Sequence, residues 1–201
     1  MSHSKISVII ALGNPGKDYE NTRHNVGFIV ADQIIKDFNF EKKGEKFKSI
    51  LYEGMIGTQK LKLIKPQTYM NLSGEATQLL CAFYKIPYEN ILVITDDYEL
   101  SIGNVRVRTK GGPGTHNGMK SIINTLKTQE FSRLRIGIGP KPPEMETTGF
   151  VLGRFSENEL KSIYQLNSSQ IVEDIVKDPL KAMNTWNKKE DSGVENRPDS
   201  P

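Results

Sequence analysis

The chain has 201 residues, of which 36% are hydrophobic and 25% are charged, a composition that predicts a globular protein with a single core. The net charge of +3 permits a polyanionic partner but does not establish one. No apolar run is long enough to cross a bilayer and residues 1–5 are polar, so we expect a cytoplasmic protein without membrane association. The single cysteine, Cys81, excludes an internal disulfide and a zinc-thiolate cluster, and its apolar neighbours predict burial rather than a nucleophilic role.

The first third of the chain begins as a strand that leads into a helix. Residues 6–12 form a nearly continuous β-branched run that ends at Gly-Asn-Pro-Gly, so a buried strand ends just before Asn14. Apolar residues then recur at helical spacing over 24–38, with Thr22 as the expected N-cap. Two strand-like runs at 47–56 and 60–65 flank Gly57 and Thr58, which predicts a hairpin.

The middle of the chain repeats this order. A helix capped by Ser73 precedes a buried strand at 91–95, with Asp96 at its exit. A strand at 105–108 leads into a glycine-rich loop, which is followed by a helix at about 119–127 and a strand at 134–139. The alternation predicts a single α/β domain with a mixed, largely parallel twisted sheet flanked by helices.

The last third is helical. Ser156 and Glu159 match a capping box, which predicts a helix to about residue 177, and Leu180, Met183 and Trp186 predict a short final helix. Residues 187–201 are polar and are predicted to be a disordered tail. The predicted domain therefore spans residues 1–186.

Several polar residues occupy loop positions beside these buried elements. Because functional loops of an α/β sheet gather at the carboxyl ends of its strands, we expect several of these side chains to converge. Each alone is more often a turn former, a cap or a structural histidine. The residues are Asn14, His24, Asn71, Asp96, His116 and Asn117.

This set suits hydrolysis of an ester by water. The chain lacks Gly-x-Ser-x-Gly, and with no catalytic cysteine expected, water is the natural nucleophile. The imidazole of His24 can activate water, and the carboxylate of Asp96 can orient that imidazole and stabilise its charged form. The amides of Asn14, Asn71 and Asn117 can donate to the carbonyl oxygen without adding a competing base.

A basic stretch provides a candidate phosphate-binding surface. Residues 103–120 contain Arg106, Arg108, Lys110 and Lys120 but no acidic residue. Strand geometry places Arg106 and Arg108 on one face. The alternative is an ordinary solvated strand face with scattered positive charge.

Five ordered blocks in the chain resemble the bacterial peptidyl-tRNA hydrolases. The resemblance covers about residues 6–183, and its specificity lies in the joint order and spacing of the blocks. The blocks are Gly13-Asn14-Pro15-Gly16 with Tyr19 and Thr22-Arg23-His24-Asn25-Val26-Gly27, Lys65-Pro66-Gln67-Thr68-Tyr69-Met70-Asn71-Leu72-Ser73-Gly74, residues 111–118, Arg133-Leu134-Arg135-Ile136-Gly137-Ile138-Gly139, and Gly149-Phe150-Val151-Leu152-Gly153.

The resemblance implies a monomeric enzyme, without metal or cofactor, that releases tRNA from peptidyl-tRNA dropped by stalled ribosomes. It places the catalytic histidine on His24 and its orienting aspartate on Asp96. By the same resemblance, Asn14, Asn71 and Asn117 hold the substrate, Tyr19 and Met70 line the cleft, Arg106 and Arg108 clamp the tRNA 5′ phosphate, and Arg135 contacts tRNA. The sequence departs from common family residues at Thr95, Pro113 and Thr115 and has arginine where the clamp often has lysine, a change that preserves anion binding.

Three alternatives remain open at this point. The first is a noncatalytic RNA-binding protein, since the family has relatives in plant organelles that act in splicing; the retained His24 and Asp96 argue against it. The second is a nucleotide-binding enzyme, but Ala11 and Asp18 break a Walker A pattern. The third is a metal site formed from His24, His116, Asp96 and Asp97, which lacks a closely spaced histidine pair.

Overall fold

A seven-stranded mixed sheet runs through the computed structural model, which describes residues 5–187. The strands lie in the order β2-β3-β4-β1-β5-β7-β6. They are β1 (Val8–Ala11), β2 (Glu41–Lys46), β3 (Ser49–Ile56), β4 (Gln59–Pro66), β5 (Ile91–Ser101), β6 (Val105–Arg108) and β7 (Ser132–Gly139). β1 pairs in parallel with β4 and β5, and β5 pairs in parallel with β7, whereas β2 with β3, β3 with β4, and β6 with β7 are antiparallel.

Helices cover both faces of this sheet. They are α1 (Val26–Asp37), α2 (Ser73–Tyr84), α3 (Asn117–Leu126), α4 (Thr147–Leu152), α5 (Glu157–Tyr164), α6 (Ser168–Lys177) and α7 (Pro179–Trp186). Only β3 and β6 run against the other strands, so the predicted α/β domain with a mixed, largely parallel sheet is confirmed.

The alternation of side chains along β1 creates two apolar cores. Ile9 and Ala11 face the core that contains residues of α1 and α6, while Val8 and Ile10 face the core that contains residues of α2 and α3. A strand buried on both faces is expected to be apolar throughout, as β1 is.

Several predicted boundaries were wrong. The strand predicted at 91–95 continues to Ser101, because β5 keeps pairing with β7 as far as Asp97 and pairs again at Ser101, so Asp96 lies within the strand. The helix predicted from 156 to 177 is broken into α5 and α6 by residues 165–167, of which Leu166 packs against the core. The capping box of Ser156 and Glu159 is confirmed.

Two other capping predictions were also wrong. Thr22 precedes a turn of 3-10 helix, Arg23–Asn25, and its hydroxyl donates to the Tyr19 carbonyl rather than capping α1. Ser73 is the first residue of α2 and donates to the Met70 carbonyl. In both places a single 3-10 turn comes before the helix and takes the capping position.

The C-terminal tail predicted at 187–201 lies outside the described residues except for Asn187, whose side chain bonds to β6. Among residues 5–187, no helix has the length and apolar character needed to span a membrane.

Candidate active site

His24 and Asp96 come together where α1 meets the sheet. His24 lies in the 3-10 turn that precedes α1. A Cβ atom on Gly27 would lie 2.4 Å from the Leu12 carbonyl oxygen and 2.8 Å from that of Ile94, so glycine lets the start of α1 rest directly on β1 and β5. This close approach places Nδ1 of His24 2.9 Å from Oδ1 and 3.0 Å from Oδ2 of Asp96.

A second imidazole contacts the same carboxylate. Nε2 of His116 lies 2.7 Å from Oδ1 of Asp96. His116 is also the N-cap of α3, where its Nδ1 accepts a hydrogen bond from the Met119 N–H at 3.2 Å. An Nδ1 that accepts from a backbone amide carries no proton, so the hydrogen of neutral His116 is on Nε2 and is donated to Asp96.

These contacts leave His24 ready to act as a base. Asp96 can only accept, so His24 donates Nδ1–H to it and its Nε2 keeps a free lone pair. Burial lowers the pKa of His24, but the charge and hydrogen bond of Asp96 outweigh burial and the pKa lies above 6.5. Burial would raise the pKa of Asp96, yet the two histidines hold the pKa of this carboxyl well below its usual range. Asp96 is therefore ionised at neutral pH beside His24.

Asn14 links three loops around this pair. Its backbone N–H donates to Oδ1 of Asn25, and Nδ2 of Asn25 donates back to the Asn14 carbonyl, both at 2.9 Å. Oδ1 of Asn14 accepts from the Met70 N–H at 2.8 Å. The Asn14 oxygen is thus occupied, whereas its NH₂ group has no hydrogen-bond partner among residues 5–187 and can donate to a substrate. Asn25 adjoins His24 in the sequence, but no pattern in the sequence indicates this bracing role.

The loop around Met70 and the start of α3 lie against each other. A Cβ atom on Gly118 would lie 2.6 Å from Sδ of Met70 and 3.1 Å from Cε1 of His116. Asn71 follows Met70 in a 3-10 turn and Asn117 begins α3; both are exposed, with no side-chain hydrogen bond in the described part of the chain. Their amides are free to bind a ligand.

Tyr19 lies farther out, on the turn after β1. It is partly exposed and stacks edge to face on Tyr69, with ring centroids 6.4 Å apart. Tyr69 is itself 59% exposed. Together the two rings form an exposed aromatic surface directly before Met70.

The arginines lie on the outer strands of the sheet. In the β6–β7 register Arg106 stands opposite Arg135 and Arg108 opposite Arg133, so all four side chains share one face. A cavity of about 420 Å³ is lined by residues that include His24, His116, Arg108 and Arg135. The two imidazoles and three of the four arginines, Arg108, Arg133 and Arg135, therefore line one continuous space.

The four arginines differ in what they contact. Arg135 lies 2.9 Å from Oδ2 of Asp97, so its charge is partly neutralised. Arg133 is buried, donates to the carbonyls of Gly111, Gly112 and Gln129, and so anchors the glycine-rich loop; burial first and then Arg135 lower its pKa to about 10. Burial also lowers the pKa of Arg108, with further contributions from Arg106 and Arg135. The anchoring role of Arg133 was not predicted, because in the sequence Arg133 is one of several arginines with no feature that sets it apart.

Other candidate chemistry in the chain fits less well. His24, Asp96 and His116 offer ligand atoms within 4.8 Å of one another, which is compatible with a metal ion. However, each imidazole nitrogen that faces Asp96 is at hydrogen-bonding distance from the carboxylate, and the His116 tautomer places a hydrogen on that nitrogen. Cys81 is buried and burial raises its pKa to about 12, so its thiol is a poor nucleophile.

Comparisons with known proteins give one consistent result. Residues 8–193 match the family model for peptidyl-tRNA hydrolase. The chain is 46% identical over 183 residues to a peptidyl-tRNA hydrolase of Alkaliphilus oremlandii, covering 90% of this chain and 98% of the relative. It is 48% identical over 183 residues to one of Caldanaerobacter subterraneus subsp. tengcongensis, with the same coverage. The crystal structure of the peptidyl-tRNA hydrolase from Acinetobacter baumannii matches with a TM-score of 0.83 and 35% identity, over 93% of this chain and 97% of that one.

Proposed function

The chain belongs to the peptidyl-tRNA hydrolase family, enzymes that hydrolyse the ester bond between a peptide and tRNA, and on that premise we propose that His24 activates the attacking water. The observation that carries this proposal is that both His24 and His116 form hydrogen bonds with the carboxylate of Asp96. Because His116 is restricted to donating through Nε2, and His24 donates through Nδ1, the lone pair of His24 Nε2 is available to remove a proton from water.

The reaction then proceeds in two steps. Nε2 of His24 takes a proton as the water oxygen bonds to the ester carbonyl carbon, and the Asp96 carboxylate stabilises the resulting imidazolium. The tetrahedral intermediate collapses, the bond to the tRNA 3′ oxygen breaks, and His24 returns the proton to that oxygen. The products are a peptide carboxylic acid, which ionises, and a tRNA with a free 3′ terminal hydroxyl.

The asparagines hold the substrate during this reaction. The free NH₂ group of Asn14 and the exposed amides of Asn71 and Asn117 donate hydrogen bonds to the peptidyl ester and to the developing oxyanion. Met70 and Tyr19 line the cleft beside them. The proximity of the Met70 loop to the start of α3 supports this assignment.

The arginines bind the tRNA end. Arg106 and Arg108 clamp the 5′ phosphate, and Arg135, although paired with Asp97, adds a further tRNA contact. Guanidinium groups bind phosphate bidentately and stay charged at cellular pH. The shared cavity that reaches from His24 to Arg108 supports simultaneous binding of the ester and the phosphate.

We further propose that the protein is a cytoplasmic monomer of one domain, residues 1–186, that recycles tRNA from peptidyl-tRNA released before termination. It requires neither a metal ion nor a cofactor. Full activity in the presence of a chelator is the expected result, and restoration of lost activity by an added divalent metal would contradict it.

One comparison tests the role of His24. The protein should release tRNA from an N-acetyl-aminoacyl-tRNA and spare the free-amine form. His24→Ala should lower turnover about 10²- to 10⁴-fold, the usual contribution of general acid–base catalysis, and leave tRNA affinity almost unchanged. A loss below about tenfold would contradict the assignment. A wild-type protein that binds tRNA without turnover would instead favour a noncatalytic RNA-binding role.

A further inference from the structure

The strand that carries Arg106 and Arg108 is weakly stabilised by its strand pairing. β6 has four residues, lies at the edge of the sheet and, among the strands within residues 5–187, pairs only with β7. Each arginine of β6 stands opposite an arginine of β7, and like charges directly opposite one another destabilise a strand pair. Holding both guanidinium groups in place therefore requires another contact.

The outer edge of β6 receives this contact from Asn187. The Val107 N–H donates to Oδ1 of Asn187 at 2.7 Å, and Nδ2 of Asn187 donates to the Val107 carbonyl at 2.9 Å. One carboxamide thus satisfies both backbone groups of the residue between the two arginines, as a neighbouring strand would. Because backbone groups alternate in direction along a strand, those of Arg106 and Arg108 point to β7. β6 is held on both edges.

Asn187 is itself fixed by α7. Its N–H donates to the Met183 carbonyl at 3.2 Å, which continues the end of the helix. Trp186 packs against the core and donates from Nε1 to Oδ2 of Asp174 at 3.0 Å. The Val107 side chain is fully buried in the same core. The carboxamide and its partner on β6 are therefore both anchored to one core.

We propose that Asn187 is a positioning residue for tRNA binding, acting through the backbone of Val107 to hold Arg106 and Arg108 toward one phosphate group. This inference rests on the proposed function. Asn187 does not touch the substrate, so its contribution belongs to binding of full-length tRNA and not to the chemical step.

The test compares Asn187→Ala with Asn184→Ala, a variant of an exposed asparagine on the same helix whose side chain has no polar contact within residues 5–187. For Asn187→Ala, KM for N-acetyl-aminoacyl-tRNA should rise about three- to tenfold, the effect of losing about one net hydrogen bond. Turnover at saturation and hydrolysis of a minimal peptidyl-adenosine should stay unchanged. Hydrogen exchange at the Val107 amide should become faster. Asn184→Ala should match the wild type in all four measurements.

Two results would overturn the inference. One is an unchanged KM for the full-length substrate despite faster exchange at Val107; the other is an equal loss on the full-length and minimal substrates, which indicates a general folding defect. Affinity for uncharged tRNA, measured in parallel, keeps the test separate from the proposed function. If the wild type bound tRNA but hydrolysed neither substrate, the proposed function would fail, while weaker tRNA binding by Asn187→Ala would still support the positioning role.

Discussion

Asp96 is the residue on which the two histidines depend. Its side chain is almost fully buried and accepts hydrogen bonds from both imidazoles. A buried charge is tolerated only when it is paired and hydrogen-bonded. The same contacts that stabilise Asp96 orient His24, so in the proposed mechanism the stability of the site and its chemistry depend on one carboxylate.

Asp96→Asn should lower turnover, by less than His24→Ala does, and should also shift its pH dependence. In the proposed mechanism activity requires neutral His24, so kcat/KM should rise with pH through the pKa of His24. That pKa is raised above 6.5 in the wild type because Asp96 outweighs burial. Without the negative charge burial dominates, and the midpoint should move to lower pH. Profiles of kcat/KM from acid to mildly alkaline pH measure this shift.

Asp97→Asn serves as the matched control for that profile. Asp97 is equally buried but pairs with Arg135 rather than with a histidine, so its variant should keep the wild-type midpoint. A midpoint that stays in place for Asp96→Asn, or moves equally for both variants, would contradict the His24–Asp96 assignment.

Two proposed roles of Asn14, bracing the Met70 loop and donating a hydrogen bond to the substrate, can be separated by the choice of substitution. In Asn14→Asp a carboxylate oxygen still accepts from the Met70 N–H, but no donor remains for the substrate. If donation matters, turnover should fall toward the 10²- to 10³-fold typical of a lost oxyanion donor. Asn14→Ala loses the brace as well and should also melt at lower temperature. Near-normal turnover in Asn14→Asp, with a loss only in Asn14→Ala, would reduce Asn14 to a loop brace.

At the scale of elements, β5 and β6 determine how the site is arranged. β5 is long and mostly buried and carries Asp96 in its middle, where the backbone pairs with β7. β6 is short and lies at the sheet edge. The aspartate proposed to orient His24 is therefore on a long, mostly buried strand, and the arginines proposed to bind phosphate are on a short edge strand.

Replacing both Arg106 and Arg108 with alanine should raise KM for full-length tRNA substrates and flatten its salt dependence, because fewer counterions are released on binding. Hydrolysis of a minimal peptidyl-adenosine, which has no 5′ phosphate terminus, should scarcely change. Measuring KM for both substrates at two salt concentrations distinguishes a clamp from a solvated surface.

The control for this double variant removes the same charge from the opposite edge of the sheet. Lys42 and Lys46 are exposed on β2, and their double alanine variant should keep nearly the wild-type KM. Equal effects of the two double variants would mean that overall charge, and not a clamp, determines tRNA binding.

At the scale of the whole molecule, both cores share one sheet. Alternate residues of β1 belong to opposite cores. Loss of packing in either core would therefore expose one face of a strand on which the other core also depends. The helices on the two faces are therefore expected to unfold together, as small single domains usually do.

Trp186, the only tryptophan, provides a local probe of this cooperativity. It packs against the core at the end of α7, whereas far-ultraviolet circular dichroism reports on all the helices and strands. Urea unfolding curves from the two signals should coincide in midpoint and slope. An earlier fluorescence transition would show that α7 detaches separately, and Asn187 would then be a weaker anchor for β6 than proposed.

Much of this protein was predictable from local patterns. Apolar runs ending at glycine and proline predicted β1, the β3–β4 hairpin and the α/β class, and the order of the sequence blocks predicted the family. The candidate residues His24, Asp96 and Asn14 were also named from the sequence; the structure pairs His24 with Asp96 and bonds Asn14 to Asn25, the residue after His24. Their catalytic roles stay predictions. Local spacing is sufficient to predict strands and helices because their periodicity can be recognised from neighbouring residues alone.

Only the tertiary structure determined which strands pair and which side chains form hydrogen bonds with one another. β2 has no apolar alternation and was missed, because pairing with β3 and not its own composition makes it a strand. The tautomer of His116, the anchoring of the glycine-rich loop by Arg133 and the support of β6 by Asn187 each depend on a hydrogen bond whose geometry or partner no spacing pattern encodes. Such bonds are determined by distance and direction in the folded chain, and the sequence specifies them only through the whole fold.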